Sequence, residues 1–316
     1  MATRLWRVGT RASPLARAQT QWVADRLEAE GAPVELVLIE AEGDRRLDRP
    51  LDELGGRGVF TAALEEALLQ GRVDLAVHSL KDLPTRMPPA LCLAAVTARE
   101  DPRDAVIVRG ASDLAGLPAG ARVGTSSLRR AALLRLAHPE LAVASVRGNL
   151  GTRLAKLAAG EYDALVLAAA GLRRLGQADV IAEYLDPSWM VPAPGQGALA
   201  VEARAGDTAA VRCAAAVDDP VARQATAAER QVLDALGGNC QIPVGAYAVW
   251  DEDRREWALQ VFAAGGGREP ARVSWRGMAL DMGAAWAISE LVRAGIAPDV
   301  RPAAAAKTSQ EIGGRS

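Results

Sequence analysis

The chain alternates short apolar runs with helix-forming segments, and this alternation occurs twice within its first 170 residues. Each copy begins with a short strand that runs into Gly-Thr, at 6–10 and again at 122–125, and each continues through serine into a helix. In the first copy Ser13-Pro14 is a typical helix start, because serine caps the N-terminus and proline suits the first turn. The pattern predicts two similar α/β halves, each with a largely parallel sheet. Because βα units resemble one another in general, it also allows two unrelated halves.

Periodicity and the positions of glycine and proline predict the remaining elements. Helices are expected at 14–30, 60–70, 128–138, 152–159, 207–236 and 281–294, and strands at 6–10, 34–39, 73–77, 122–125, 141–146, 164–169, 246–250, 256–262 and 271–276. The polar, glycine-rich stretch 41–58 predicts a mobile loop, and the proline-rich stretch 191–197 predicts a crossing between domains. The tail 301–316 has little to bury, so we expect it to be disordered.

Charge and cysteine usage exclude several function classes. A formal net charge of −2 and a pI near 5.9 give no global positive field for nucleic acid or an anionic membrane. The sequence has no apolar run of membrane-spanning length and no hydrophobic N-terminal signal, so we expect a cytoplasmic protein. Three scattered cysteines exclude a disulfide framework, and the two distant histidines, His78 and His138, exclude the usual zinc sites.

Arginine greatly outnumbers lysine, with 34 residues against three, and several arginines lie at predicted strand ends. Those at or just after strand ends are Arg11, Arg129, Arg130, Arg147, Arg153, Arg173 and Arg174. Strand ends are where open α/β sheets build their sites, so these side chains predict a cleft for a ligand with many carboxylates. Arg129 and Arg130 occupy a first helical turn, where cations are unfavourable unless an anion binds. The alternative is that both arginines are solvated.

The segment 74–84 runs from a buried strand into Ser79-Leu80-Lys81-Asp82 and is stopped by proline. Asp82 is a candidate general acid or base, with Lys81 beside it to bind or neutralise charge. The alternative is a turn aspartate with a chance lysine neighbour. His78 lies within the strand, where we expect a hydrogen-bonded core histidine rather than a catalyst.

The three cysteines differ in their surroundings. Cys92 and Cys213 lie in apolar segments typical of buried structural thiols. Cys240 follows Gly237-Gly238-Asn239 in a predicted loop, where a reachable nucleophilic thiol would lie. The alternative is an incidental loop cysteine.

Taken together, these segments resemble the porphobilinogen deaminase (hydroxymethylbilane synthase) family. The resemblance runs in order from residue 5 to about residue 295 and rests on GTRASPLA, GGRGVF, DLAVHSLKDLP, EDPRDA, VGTSSLRR, VRGNLGTRL, YDALVLAAAGLRRLG, PAPGQGAL and GGNCQIPVGAYA. HSLKDLP, GTSSLRR and RGNLGTRL in this order are highly specific.

The resemblance implies a transferase of tetrapyrrole and haem biosynthesis. Such an enzyme condenses four porphobilinogens head to tail, releases ammonia at each addition, and hydrolyses off linear hydroxymethylbilane. It implies a dipyrromethane primer carried as a thioether on Cys240. Each added ring brings an acetate and a propionate, which accounts for the arginines. The other hypothesis is a non-catalytic carboxylate-binding module of the same fold.

The resemblance also implies roles for individual residues. It makes Asp82 the catalytic residue, which protonates the leaving amine and stabilises cationic pyrrole intermediates. The implied contacts to the dipyrromethane come from Ser79, Lys81, Asp82, Thr125, Ser127, Arg129, Arg130, Arg147 and Gly148. Those to the substrate come from Arg11, Ser13, Phe60, Arg147, Arg153, Arg174 and Gln196, and the loop 45–58 matches a mobile lid.

The implied fold is α/β, with two domains similar to type II periplasmic binding proteins and a small C-terminal α+β domain. The expected limits are 1–98 with 197–215, then 99–196, then 216–300 for the domain carrying the cysteine loop. A monomer is expected, with porphobilinogen as substrate, no metal, and a transient hand-over of product to uroporphyrinogen-III synthase.

The sequence departs from the family pattern at three places. Asn239 replaces the usual glycine before the cysteine, Arg57 stands where lysine is common, and Ala41 begins the stretch that is usually Thr-x-Gly-Asp. The last two departures make contacts from the loop 45–58 less certain than those from the sheet ends.

Overall fold

A computed structural model of the chain describes residues 4–40, 61–237, 242–265 and 267–296. Its strands are β1 (Trp6–Thr10), β2 (Val34–Leu38), β3 (Leu75–Ser79), β4 (Leu91–Val96), β5 (Asp104–Val108), β6 (Arg122–Gly124), β7 (Ala142–Ala144), β8 (Ala164–Ala168), β9 (Glu183–Tyr184), β10 (Leu199–Arg204), β11 (Val244–Asp251), β12 (Glu256–Ala263) and β13 (Ala271–Gly277). Its α-helices are α1 (Pro14–Ala29), α2 (Ala62–Leu69), α3 (Leu128–Ala137), α4 (Leu150–Ala158), α5 (Ala169–Arg174), α6 (Thr208–Ala214), α7 (Pro220–Ala235) and α8 (Leu280–Arg293).

Two five-stranded sheets share one topology. The first has the order β2-β1-β3-β10-β4 and the second the order β7-β6-β8-β5-β9. In each sheet three neighbouring strands are parallel, and the fourth strand runs antiparallel to both of its neighbours. The prediction of two similar, largely parallel α/β halves is therefore confirmed.

The glycine of each Gly-Thr turn has a packing reason. A Cβ on Gly9 would lie 2.9 Å from Cδ2 of Leu64, and one on Gly124 would lie 2.7 Å from Cδ2 of Leu165. Glycine thus lets a neighbouring side chain approach β1 and β6 closely, and a larger residue at either position would require that side chain to shift.

The sequence prediction missed four strands and misplaced the start of another. β4, β5, β9 and β10 were not predicted, and β3 begins two residues later than expected. β10 returns to the first sheet, between β3 and β4, only after the whole second sheet has been built. Such a partner is chosen by tertiary contacts, which a local pattern does not report.

The helical stretch predicted over 207–236 is present but divided into two α-helices. α6 ends at Ala214, and α7 restarts at Pro220 with Asp219 as its N-cap, whose carboxylate accepts from the amide of Ala222 at 2.7 Å. Proline has no N–H for the preceding turn and favours a helix start, which explains the break.

The third unit, defined here as α7, β11–β13 and α8, has its own core. Its antiparallel sheet β11-β12-β13 is covered by the two helices, with Val232, Leu259, Val261 and Leu291 among the fully buried side chains. We keep the residue limits of the three domains as a prediction.

Buried Glu229 of α7 joins the third unit to both segments that link the two sheets. Its carboxylate accepts from the Arg99 guanidinium at 2.8 Å, from the Gly195 amide at 2.7 Å and from the Ala248 amide at 2.8 Å. Arg99 and Gly195 lie on the two linking segments, so all three parts of the molecule meet at one buried carboxylate. Its burial raises the pKa of Glu229.

Candidate active site

Asp82 lies on a single 3-10 turn, Leu80–Asp82, that begins where β3 ends. Leu80 and Leu83, on either side of the exposed Asp82, are buried and anchor the turn. Leu83 is extended, as expected for a residue before proline, so the turn stops there. The result is a carboxylate held at the surface of the first sheet by apolar anchors on both sides.

Lys81 is turned inward beside Asp82. It is half-buried, and its ammonium group donates to Oε1 of Gln196 at 3.3 Å. Burial and the charge of Arg130 lower the pKa of Lys81 to about 8, against the opposing effects of Asp82 and Asp104. Lys81 therefore contributes a cation whose charge changes near neutral pH.

Arg129 and Arg130 share one buried carboxylate, that of Asp104 at the start of β5. Arg129 donates to Asp104 at 2.6 Å and to the Val191 carbonyl at 2.7 Å, while Nε of Arg130 donates to the other Asp104 oxygen at 2.9 Å. Both arginines are less than a tenth exposed, so the solvated alternative was wrong. An internal carboxylate supplies the anion that makes cations tolerable in this first helical turn.

Gln196 connects this ion pair to the turn of Asp82. Its side chain is fully buried, and its amide donates to Asp104 at 2.8 Å and to the Pro102 carbonyl at 2.7 Å. Its carbonyl oxygen accepts from Lys81 and, at 3.4 Å, from Arg130. The two halves are thus joined by one hydrogen-bonded chain that runs from Asp104 to Lys81.

Arg153 belongs to the same electrostatic environment. Its Nε donates to the Gly148 carbonyl at 2.8 Å. Burial lowers the pKa of Arg153, the charge of Arg130 lowers it further, and Asp82 raises it. Lys81 and Arg153 therefore place two cationic groups within electrostatic range of the Asp82 carboxylate.

The other predicted contacts of the second half lie at its strand ends. Thr125 follows β6 and is buried, and its hydroxyl accepts from the amide of Ser127 at 3.2 Å. The Ser127 side chain caps α3. Arg147 is exposed, and Gly148 has a φ of +109°, with Thr152 too near for a Cβ.

The predicted contacts of the first half are also at sheet ends. Ser79 ends β3 and accepts from the Gln19 amide at 2.8 Å, half-buried Arg11 follows β1, and Ser13 caps α1. Arg174 reaches across from α5 and donates to the Gly197 carbonyl at 2.6 Å. Burial lowers the pKa of Arg174 to about 10.

Not every arginine at a strand end joins the hydrogen-bonded network of Asp104 and Gln196. Arg173 pairs with Glu100 at 2.7 Å on the outside of the molecule. His78 is buried with its Nε2 atom 3.1 Å from Glu202, in agreement with its interpretation as a core histidine.

Several predicted residues lie outside the part of the chain that the structure describes. They are Phe60, Cys240, Asn239 and the loop 45–58 with Arg57. The other two cysteines are described, and both are half-buried rather than fully buried. Burial raises the pKa of the Cys92 thiol and that of the Cys213 thiol, which makes both poor nucleophiles.

Sequence reasoning missed Asp104 and Gln19. Asp104 precedes the apolar run 105–108, and a carboxylate entering a buried strand is a signal that it needs a cationic partner. Gln19 gave no comparable signal, because a helical glutamine is ordinary until its partner is known.

No cluster of His, Cys, Asp and Glu that could hold a metal ion occurs within residues 4–40, 61–237, 242–265 and 267–296. In these same stretches, no helix has the length and apolarity to cross a bilayer.

Replacing Asp104 by asparagine is expected to lower the free energy of unfolding by about 3–5 kcal/mol, because it leaves two buried guanidinium groups without their shared carboxylate. Burial alone raises the pKa of Asp104, but the two arginine charges hold it well below its usual range. Because the pKa of Asp104 is lower in the folded protein than in the unfolded chain, where it is near 4, the ionised carboxylate stabilises the fold above about pH 4. This stabilisation is lost as the pH falls below that value. Urea unfolding at pH 7 and in acid measures both effects.

The matched control is Asp251→Asn, which removes a carboxylate from a surface pair with Arg276. We expect little change from it, since exposed pairs contribute little. Equal unfolding energies for Asp104→Asn and the wild type at pH 7 would contradict the structural role of Asp104.

Comparison with known proteins identifies two matching family models and a structural neighbour. A family model described as "Porphobilinogen deaminase, dipyromethane cofactor binding domain" matches residues 6–212, and one described as "Porphobilinogen deaminase, C-terminal domain" matches residues 224–264. A solved nutrient binding protein from Burkholderia cenocepacia, bound to methionine, is 16% identical with a TM-score of 0.43, over 68% of this chain and 92% of its own.

Two curated relatives are closely similar in sequence. The porphobilinogen deaminase of Roseiflexus castenholzii is 53% identical over 248 residues, which cover 78% of this chain and 82% of the relative. That of Acidothermus cellulolyticus is 53% identical over 251 residues, which cover 78% of this chain and 76% of the relative. The chain therefore belongs to the porphobilinogen deaminase family.

Proposed function

We propose that this chain performs its family's reaction with Asp82 as the catalytic residue and Cys240 as the attachment point of the primer. The reaction condenses four porphobilinogens head to tail with loss of ammonia and then releases linear hydroxymethylbilane by hydrolysis. The observation that carries the proposal is the exposed Asp82, set beside Lys81 and within electrostatic range of Arg153. One carboxylate surrounded by cations suits acid chemistry on a substrate that carries carboxylates itself.

The residues present fit a dipyrromethane group. Its acidic side chains require cationic and hydroxyl partners, and these line the strand ends on both sides of Asp82. We assign its binding to Ser79, Lys81, Asp82, Thr125, Ser127, Arg129, Arg130, Arg147 and Gly148. When bound, the dipyrromethane supplies the nucleophilic pyrrole carbon to which the first substrate is joined.

Asp82 has two tasks in this assignment. Its carboxyl group protonates the departing amine of porphobilinogen, and its carboxylate then stabilises the cation that remains when ammonia leaves. The turn is held by buried Leu80 and Leu83, so the carboxylate is oriented before substrate arrives. We assign the substrate carboxylates to Arg11, Ser13, Phe60, Arg147, Arg153, Arg174 and Gln196, with Phe60 contributing an aromatic face rather than a charge.

Lys81 and Arg153 set the electrostatics around Asp82. Lys81 binds a carboxylate while it is charged, and its lowered pKa means that this binding weakens above about pH 8. Arg153 stays charged and is oriented by the Gly148 carbonyl.

We keep three further assignments as part of the proposal. The domain limits are 1–98 with 197–215, 99–196 and 216–300, the protein acts as a cytoplasmic monomer, and its product passes to uroporphyrinogen-III synthase. Three large apolar clusters support the division into three: one is centred on each sheet and one on the third unit, and Phe262 of the third unit also packs with the second sheet.

Intact mass and product formation together test the proposal. The wild-type protein is expected to be heavier than its sequence by one dipyrrole and to form a tetrapyrrole from porphobilinogen. An unmodified mass with no tetrapyrrole formed would instead favour the non-catalytic carboxylate-binding module.

A further inference from the structure

The second half of α7 forms hydrogen bonds to four consecutive residues, 83–86, that directly follow Asp82. The Arg230 guanidinium donates to the carbonyl of Leu83 at 2.8 Å and to that of Pro84 at 2.6 Å. Asp234, one helical turn later, accepts from the Thr85 hydroxyl at 2.8 Å and from Nε of Arg86 at 3.1 Å. One face of one helix therefore contacts residues 83 to 86 in register.

These hydrogen bonds dominate this contact between α7 and the first sheet. The apolar residues of α7 beyond its first turn, such as Val232 and Leu233, pack into the core of the third unit. The apolar contact with the Asp82 turn comes from Ala222, in the first turn of α7, which packs with Leu80 and Leu83. An open groove of about 290 Å³ lies between α7 and β4, with Thr85 and Arg230 among its lining residues.

The carbonyls that Arg230 binds need a partner. Leu83 is extended and precedes proline, so neither carbonyl enters a helix or a sheet ladder. Arg230 is half-buried, and burial lowers its pKa. A guanidinium group stays charged under these conditions and can bind both oxygens at once.

We propose that Arg230 is a positioning residue for the reaction: by binding the carbonyl oxygens of Leu83 and Pro84, it fixes the turn of Asp82 to the helix of the third unit. The inference rests on the proposed function, in which Asp82 acts on a chain covalently attached to a residue that follows this helix in sequence. Arg230 thus sets the position of the Asp82 turn relative to α7.

Arg223 offers a matched control on the same helix. It lies two turns earlier and donates to the carbonyls of Leu93 and Ala94 at 3.3 and 2.9 Å. It therefore makes the same kind of contact between α7 and the first sheet, but at β4 and not at the Asp82 turn.

The experiment compares Arg230→Met and Arg223→Met as primed holoenzymes, with methionine keeping the length of the side chain while removing the donors. Primer content comes from intact mass, stability from Tm, and kcat and KM from tetrapyrrole formation. We expect a similar fall in Tm for both variants, but a fall in kcat of about ten- to a hundredfold, with KM little changed, for Arg230→Met alone. Arg230→Lys, which can reach one carbonyl at a time, is expected to recover part of the lost kcat.

Equal kcat values for the two methionine variants would overturn the inference, because both contacts would then be merely structural. If Arg230→Met does not fold, Arg230→Lys decides: a reduced kcat at unchanged Tm supports positioning, and a wild-type kcat overturns it. Turnover by the wild type and by Arg223→Met establishes the reaction itself, so failure of the proposed function is seen separately.

Discussion

Replacing Cys240 by serine is expected to remove the excess mass of one dipyrrole and to abolish tetrapyrrole formation. The thioether needs a thiolate nucleophile, and a serine hydroxyl at neutral pH does not supply one. Cys92 and Cys213 are half-buried and burial raises the pKa of both thiols, so neither is expected to compete as the nucleophile. Intact-mass measurement of the purified variant gives the first result, and incubation with porphobilinogen gives the second.

Cys92→Ser and Cys213→Ser are the matched controls. Both remove a thiol from a folded element, β4 or α6, and both should keep the excess mass and the turnover of the wild type. Persistence of the dipyrrole on Cys240→Ser, or its loss from either control, would contradict the assignment of Cys240.

Local patterns predicted those parts of the fold that depend on neighbouring residues. The paired βα units and the cap residues Ser13 and Ser127 could be read from sequence, because strand length, glycine placement and capping are properties of short segments. The position of Asp82 at the end of a strand followed in the same way.

The features that the sequence could not predict are contacts between residues far apart along the chain. Arg230 and Leu83 are 147 positions apart, and Gln196 and Lys81 are 115 apart, yet each pair is hydrogen-bonded. The partner of Arg129 and Arg130 could not be predicted from the sequence either. Sequence position suggested an external anion, whereas the fold brings Asp104 from the start of β5 to both guanidinium groups.

This ion pair also sharpens the interpretation of the arginines. A ligand with many carboxylates needs several cations, but buried cations are stable only if they are compensated before the ligand arrives. Asp104 compensates the two innermost arginines, whereas Arg147 at the next strand end remains exposed. If the proposed assignments hold, Arg129 and Arg130 form a fixed inner part of the site and exposed Arg147 an outer part.

Replacing Asp82 by asparagine is expected to reduce kcat by about a hundred- to ten-thousandfold, the usual contribution of a positioned acid or base. Asparagine keeps the size of the side chain and leaves the anchors Leu80 and Leu83 in place, so the fold should be unaffected.

The loss of the Asp82 charge is expected to have a second effect, on the pKa of Lys81. Burial and Arg130 lower the pKa of Lys81 to about 8 while Asp82 raises it, so the variant should bring the Lys81 titration to a lower pH. Turnover per primed molecule, with primer content taken from intact mass, measures the first effect, and the pH dependence of KM for porphobilinogen measures the second.

Asp25→Asn is the matched control, because Asp25 is an exposed carboxylate of the same half that accepts only from Gln21 among the described residues of α1. It should leave kcat and the pH profile unchanged. Near-normal turnover by primed Asp82→Asn would show that the departing amine obtains its proton elsewhere, and Asp82 would then be a turn residue without a part in the chemistry. A loss of kcat without the shift in KM profile would instead separate the two effects: the carboxylate would act on the substrate, and Lys81 would not be the group whose charge controls binding.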